Sequence, residues 1–285
     1  MNNFAKRTIS GIGFAAIMLA AFLTNKFVFG AVMLFALIVM MQEFLKMTCG
    51  NDYKYSQLLS ILSGVILFIL IFLYKGFGFP GRLVILAFIP VFILMINSLY
   101  VKDKSRFDKF ANLYTAILYI AVPWSMLNFA VFTPEGVFNG KLLLCFFCII
   151  WGSDVGAYLF GMALGQKYGK KLFPSISPKK SWIGFWGGML TAVAVSIVLY
   201  YTGLFPISAD KPVFNLVHCI AISILLDVAG VYGDLIESQW KRHYEVKDSG
   251  TLIPGHGGLL DRFDSALIAI PIGIIYLVAL DALVL

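Results

Sequence analysis

The chain has 285 residues, 60% hydrophobic and only 13% charged, with a net charge of +7 and a mean hydropathy of +0.88. Soluble domains carry about 25% charged and about 45–50% apolar residues, so an ordinary soluble enzyme is excluded and a multi-pass helical membrane protein is indicated. The apolar runs are continuous and close to twenty residues long, unlike the alternating segments of about ten residues in a transmembrane β-barrel.

In chain order, nine spans are predicted, roughly 8–25, 27–46, 57–74, 83–101, 111–132, 141–162, 182–201, 213–236 and 265–284. The expected fold is therefore all-α, a polytopic membrane helical bundle of about nine transmembrane helices. Asn25 and Lys26 form a very short turn between the first two spans. Lys6 and Arg7 precede an apolar run in the manner of a signal peptide. No small-residue cleavage site stands out and more spans follow, so an uncleaved first helix is expected. With the N-terminus inside, seventeen of the 22 basic residues fall on inside segments and five outside, which supports an N-in, C-out arrangement. The positive charge thus orients the chain and does not imply nucleic acid.

Residues 1–140 hold about five spans, and neither an intramembrane acid nor a dense polar motif is read there. Residues 141–285 contain nearly all the unusual residues, and the richest loops, 163–181 and 237–264, both fall on the cytoplasmic side. Cys49, Cys145, Cys148 and Cys219 lie in or beside apolar runs. The CxxC at Cys145 and Cys148 has no partner pair, so it reads as small apolar packing residues and not as a zinc or redox site.

Four clusters carry chemistry. The first runs from Trp151 to Lys171, where Asp154 sits inside a span. A charge there costs about 2.5–3.5 kcal/mol and must face a partner or a wet cavity. Asp154, Tyr158, Gly161 and Gly165 recur on one helix face, and Gly152, Gly156, Gly161 and Gly165 let another backbone approach. The second is PSISPKKSW, Pro174 to Trp182. Ser177-Pro178 reads as a turn, and Ser181 reads as the N-cap of the next helix. Lys179 and Lys180 at that N-terminus make a polyanion cradle, set against the plainer reading of lysines flanking a span.

The third cluster spans Asp227 to Lys241. Asp227, Asp234 and Lys241 are spaced by seven, and Glu237 and Ser238 follow Asp234 by three and four, so all share one helical stripe. Asp227 and Asp234 have no obvious local cation and invite a metal or a bound lysine; oxygen-only ligands suit Mg²⁺. In the fourth, Pro254, Gly255, Gly257 and Gly258 forbid a helix and turn the backbone around His256. Asp261 and Asp264 then share a face if the next helix has begun.

SQWKRHYEVKDSGTLIPGHGGLLDRFD, Ser238 to Asp264, resembles the signature of the phosphatidate cytidylyltransferase (CDP-diacylglycerol synthase) family. That pattern is S-x-hydrophobic-K-R, four residues, K-D, then P-x-H-G-G-hydrophobic-x-D-R-hydrophobic-D. It is matched at Ser238, Lys241, Arg242, Lys247, Asp248, Pro254, His256, Gly257, Gly258, Asp261, Arg262 and Asp264. Trp240 departs from it, standing where the family usually has an aliphatic residue or Phe. WGSDVGAYLFG and SPKKSW also resemble upstream motifs. The likeness is strong over about 150–265, and the first spans match only in character.

The resemblance implies that CTP and phosphatidate give CDP-diacylglycerol and pyrophosphate, in phospholipid biosynthesis. It implies Mg²⁺, a second cation such as K⁺ near the same carboxylates, and a homodimer in the cell's inner (cytoplasmic) membrane. It makes Asp234 and Asp261 metal ligands, with Asp264 and Glu237 as further candidates. Asp234, Asp261, Lys241, His256 and Asp264 are the expected catalytic residues. Ser177, Lys179, Lys180 and Asp154 are expected to bind CTP, and Lys241, Arg242, Lys247 and Arg262 to grip substrate phosphate. The catalytic pocket is expected at the cytoplasmic ends of the C-terminal helices, where CTP arrives from water and the lipid from the leaflet. Rival readings are a CTP-dependent polyprenol or phytol kinase, an ether-lipid cytidylyltransferase, and a cation-coupled transporter of an anionic solute. The absence of an apparent internal repeat weakens the last.

Overall fold

The computed structural model describes residues 3–101, 107–205, 215–255 and 257–283. His256, and the basic residues Lys102, Lys104, Arg106 and Lys211 counted above, lie outside the described residues. The helices, in chain order, are α1 (Asn3–Leu23), α2 (Lys26–Cys49), α3 (Lys54–Phe77), α4 (Gly81–Tyr100), α5 (Phe107–Val131), α6 (Lys141–Tyr168), α7 (Trp182–Tyr201), α8 (Leu216–His243) and α9 (Leu260–Ala279). Among the described residues, α2 to α9 are eight helices long and apolar enough to cross a membrane, and α1 adds a shorter apolar stretch, Thr8–Leu23. The all-α polytopic fold is thus as expected. The described residues also include a two-stranded antiparallel hairpin, β1 (Lys171–Phe173) and β2 (Ser177–Ser181).

Local chemistry sets several boundaries. Asn25 caps α2, its side chain accepting from the backbone N–H of Phe27 at 2.9 Å and Val28 at 3.1 Å, which is why the turn from α1 can be so short. Ser181 caps α7 as expected, accepting from Gly184 N–H at 3.2 Å. Ser177-Pro178, however, is not a turn. It opens β2, and the reversal lies at 174–176, because the pairing of Lys171 with Ser181 draws the whole Ser177–Ser181 run into an extended conformation. In α5 a wide turn, Ile117–Ala121, lies just ahead of Pro123, whose missing N–H denies the helix an ordinary hydrogen bond.

The chain folds as two compact units. One comprises Met1–Asn128, Phe132–Phe138 and Tyr244–Arg262, so the loop between α8 and α9 folds with the N-terminal helices. Its interior is held by the Trp124 indole donating to the carbonyl of Met33 at 2.8 Å, Ser60 to that of Leu113 at 2.7 Å, and Asn112 to the Tyr244 hydroxyl at 2.9 Å. In this unit α4 leaves Ile85, Phe88, Ile89 and Phe92 exposed, an apolar surface suited to lipid.

The other unit comprises Phe129–Val131, Asn139–His243 and Phe263–Leu285. Small residues let its helices close up. A Cβ on Gly156 would meet Thr191 of α7 and stand 2.9 Å from the Gly187 carbonyl, and one on Gly152 would stand 2.8 Å from Val195. The glycines of α6 therefore pack against α7 within the chain. All four cysteines are free, three of them buried, in keeping with a packing role.

Candidate active site

Helix α8 runs to His243, seven residues past the expected end of its span, and so carries Asp227, Asp234, Glu237, Ser238 and Lys241 on one continuous helix. The stripe pairs within itself. Ser238 donates to Asp234 Oδ1 at 3.1 Å, and Lys241 Nζ contacts Glu237 Oε2 at 2.5 Å. Glu237 is buried, 1% exposed; a buried carboxylate needs such a cation to offset its desolvation.

The second partner of Asp234 comes from the hairpin. Side chains alternate along a strand, and β2 turns Lys180 inward while Lys179 stays exposed. Lys180 Nζ lies 2.8 Å from Asp234 Oδ2 and 3.4 Å from the Val231 carbonyl. The cation that the Asp227–Asp234 spacing called for is therefore, here, a bound lysine. Asp227 itself is 2% exposed. Its Oδ1 accepts from Ser153 Oγ, and the positive charge of Lys180 acts on it. Gln166 of α6 steadies the hairpin, donating to the Lys179 carbonyl at 2.9 Å and accepting from Lys171 Nζ at 2.8 Å. Arg242 is exposed and donates through Nε to the Ile176 carbonyl at 3.3 Å. Ser177 stands half-buried at the start of β2.

Helix α9 begins at Leu260, five residues before the expected span, so Asp261 and Asp264 both sit at its start. Gly233 makes the approach of α8 to α9 possible: a Cβ there would lie 2.5 Å from the Asp264 carbonyl and 3.0 Å from Ser265 Cα. Asp264 is thereby brought within electrostatic reach of Asp234, Asp154 and Lys241. On α6, Asp154 and Tyr158 are exposed while Gly161 and Gly165 are buried; the wide turn Gly161–Gly165 changes the face presented.

In the N-terminal unit, Asp261 Oδ2 accepts from Ser249 N–H at 2.9 Å, Ser249 Oγ at 2.9 Å and Gly258 N–H at 2.7 Å. The loop is thus folded onto the carboxylate. Gly257 sits at φ +85°, and a Cβ there would come 2.7 Å from Asp261 Oδ2, so both backbone and space demand glycine. Lys247, Asp248, Gly257 and Arg262 line a cavity of about 490 Å³ in this loop.

One buried acid was missed. Glu43 of α2 is 9% exposed and accepts from the N–H groups of Leu259 at 3.1 Å and Leu260 at 2.8 Å. The reading that residues 1–140 hold no intramembrane acid is corrected by this residue. Its signal was present, an acid inside an apolar run, but Lys46 one turn later makes it resemble an interfacial charge.

A family model described as the Cytidylyltransferase family matches residues 5–280. The chain belongs to this family. Proteins named phosphatidate cytidylyltransferase are among its relatives. That of Bacillus subtilis (strain 168) is 35% identical over 187 residues, 65% of each chain. That of Staphylococcus haemolyticus is 31% identical over 241 residues, 84% of this chain and 87% of the relative. That of Rickettsia bellii is 34% identical over 227 residues, 78% and 92%.

Proposed function

We propose that this protein is a phosphatidate cytidylyltransferase, converting CTP and phosphatidate into CDP-diacylglycerol and pyrophosphate. The observation that carries the reading is Lys180 docked on Asp234, with Asp234 and Asp154 within electrostatic reach of Asp264, where a polyanion and a cation would be exchanged. Membership of the family and the complete set of charged signature residues support it.

The nucleophile is a phosphate oxygen of phosphatidate, already ionised at neutral pH. It forms a bond to the α-phosphorus of CTP as the bond to the leaving pyrophosphate oxygen breaks. No general base is required, so the work is positioning and relief of anion–anion repulsion. Lys180 would exchange Asp234 for a CTP phosphate, with Lys179 and Ser177 beside it on the hairpin and Asp154 bordering the nucleotide. Lys247 and Arg262, on the loop cavity, suit the lipid phosphate, and an Arg can hold it in bidentate fashion. Lys241 and Arg242 reach a phosphate only on leaving Glu237 and the Ile176 carbonyl. His256 and the neighbouring N–H groups would stabilise charge.

The donor chemistry fits Mg²⁺. Asp234, Asp261, Asp264 and Glu237 carry hard carboxylate oxygens, and Asp234 and Glu237 would each have to leave a lysine, Lys180 and Lys241, to bind it. The described residues contain no ready group of three metal-binding side chains. Mg²⁺ does not need one, since it binds through one or two carboxylates with water and phosphate oxygens completing the shell. When bound it would neutralise charge between the two polyanions, and a second cation such as K⁺ would serve the same end. The excess of basic residues on alternate loops supports a cytoplasmic site in the inner membrane. A homodimer, expected from the family, would use a face other than the α6 glycines, which pack against α7.

Purified protein incubated with labelled CTP, phosphatidate and Mg²⁺ should place label in the lipid and release pyrophosphate, and EDTA should abolish both. Absence of CTP consumption with phosphatidate, polyprenols and ether lipids alike would overturn the enzyme reading.

A further inference from the structure

The signature accounts for Asp261 but not for what aims it. Glu43 lies 206 residues before Ser249 in the sequence, yet it sits against the same loop. Its Oε1 accepts from the N–H of Leu259, just before α9, and its Oε2 from that of Leu260, the first residue of α9, groups that a helix cannot satisfy internally. A carboxylate there also complements the positive end of the helix dipole. Oε2 further lies 3.4 Å from Ser249 Oγ, the hydroxyl that stands 2.9 Å from Asp261 Oδ2. One hydroxyl hydrogen therefore faces two carboxylates.

The glycines give an independent sign. A Cβ on Gly250 would collide with Glu43 Oε1, and one on Gly258 would stand 2.6 Å from Glu43 Oε2. The loop is stripped of side chains at the two points where the Glu43 carboxylate enters it.

We infer that Glu43 is a positioning residue of the active site: it holds the start of α9 and, through Ser249 and Gly258, sets the direction of the Asp261 carboxylate. The metal-affinity arm of the test rests on the proposed assignment of Asp261 to Mg²⁺, and the backbone arm does not. Groups that orient a metal-ligating carboxylate are worth about 10–100-fold in metal affinity when lost.

The test uses the full chain in detergent, wild type against Glu43→Gln, with Ser249→Ala as a second variant that leaves the buried acid in place. Hydrogen exchange is followed over residues 248–262 in metal-free protein, and Mn²⁺ binding is followed by its paramagnetic resonance. Glu43→Gln should speed exchange of the 249–260 amides at least tenfold, leave α6 and α7 unchanged, and weaken Mn²⁺ by about 10–100-fold. Ser249→Ala should weaken Mn²⁺ in the same direction by a smaller factor. Unchanged loop exchange in Glu43→Gln would overturn the inference. So would a loosened loop with unaltered Mn²⁺ affinity, which would leave Glu43 a packing residue. If Glu43→Gln does not fold, Ser249→Ala decides: Mn²⁺ affinity equal to wild type would sink the coupling. A wild-type chain that bound no Mn²⁺ would instead overturn the metal assignment, and the exchange result would still decide whether Glu43 holds the loop.

Discussion

Asp261→Asn separates the carboxylate's hold on the loop from its chemistry. The substitution keeps shape and removes charge. Asp261 Oδ2 accepts three hydrogen bonds, from Ser249 N–H, Ser249 Oγ and Gly258 N–H. A hydrogen bond to a charged acceptor contributes about 1.5–3 kcal/mol against about 1 kcal/mol for a neutral one. An amide oxygen can retain part of the set, so the loop should lose about 2–3 kcal/mol, or about 30- to 150-fold in its opening equilibrium. Hydrogen exchange of peptides spanning 248–262 in metal-free protein would read this directly, without reference to turnover. Protection within about threefold of wild type would refute the reasoning, since the three donors would then owe little to the charge. In the cytidylyltransferase assay the same variant should fall by at least about a hundredfold, as expected for loss of a charge-stabilising group in such a site.

Lys180→Met removes the cation from Asp234 and should raise the apparent KM for CTP about 10- to 100-fold with the fold retained, as a charge-assisted phosphate contact would require; an unchanged KM would free Lys180 from any part in nucleotide binding. Gly258→Ala forces a Cβ against Ser249 Oγ and to 2.7 Å from the Gly250 nitrogen, and should cost about 1–3 kcal/mol in thermal unfolding while slowing turnover. Ser181→Ala removes the α7 cap seen at 3.2 Å and should lower stability by about 1 kcal/mol, with turnover nearly kept; a loss of activity without a loss of stability would assign the hydroxyl to substrate.

Much of the helical framework was legible in the residues because each span is a local property. A run of apolar residues close to twenty long reports itself, and Ser181 announces its helix by bonding an N–H group three residues away. The stripe from Asp234 to Lys241 was legible for the same reason, since i, i+3 and i, i+4 neighbours meet on any helix. The ends of α8 and α9 were harder. Both helices run through polar residues that hydropathy counts as loop, and what continues them is hydrogen bonding and the close crossing at Gly233.

What the sequence by itself determined is the class of protein, the spans, and the residues worth naming as a site. Only the tertiary structure decided that Lys180 is the cation on Asp234, that Ser177 and Pro178 form strand and not turn, and that a glutamate of the second helix carries the start of the last. The physical reason is distance along the chain. Lys180 reaches Asp234 through a hairpin, and Glu43 reaches Leu260 across 217 positions. Such contacts leave no period in the sequence. They leave only residues that look out of place, an acid in an apolar run and glycines where a Cβ would strike it.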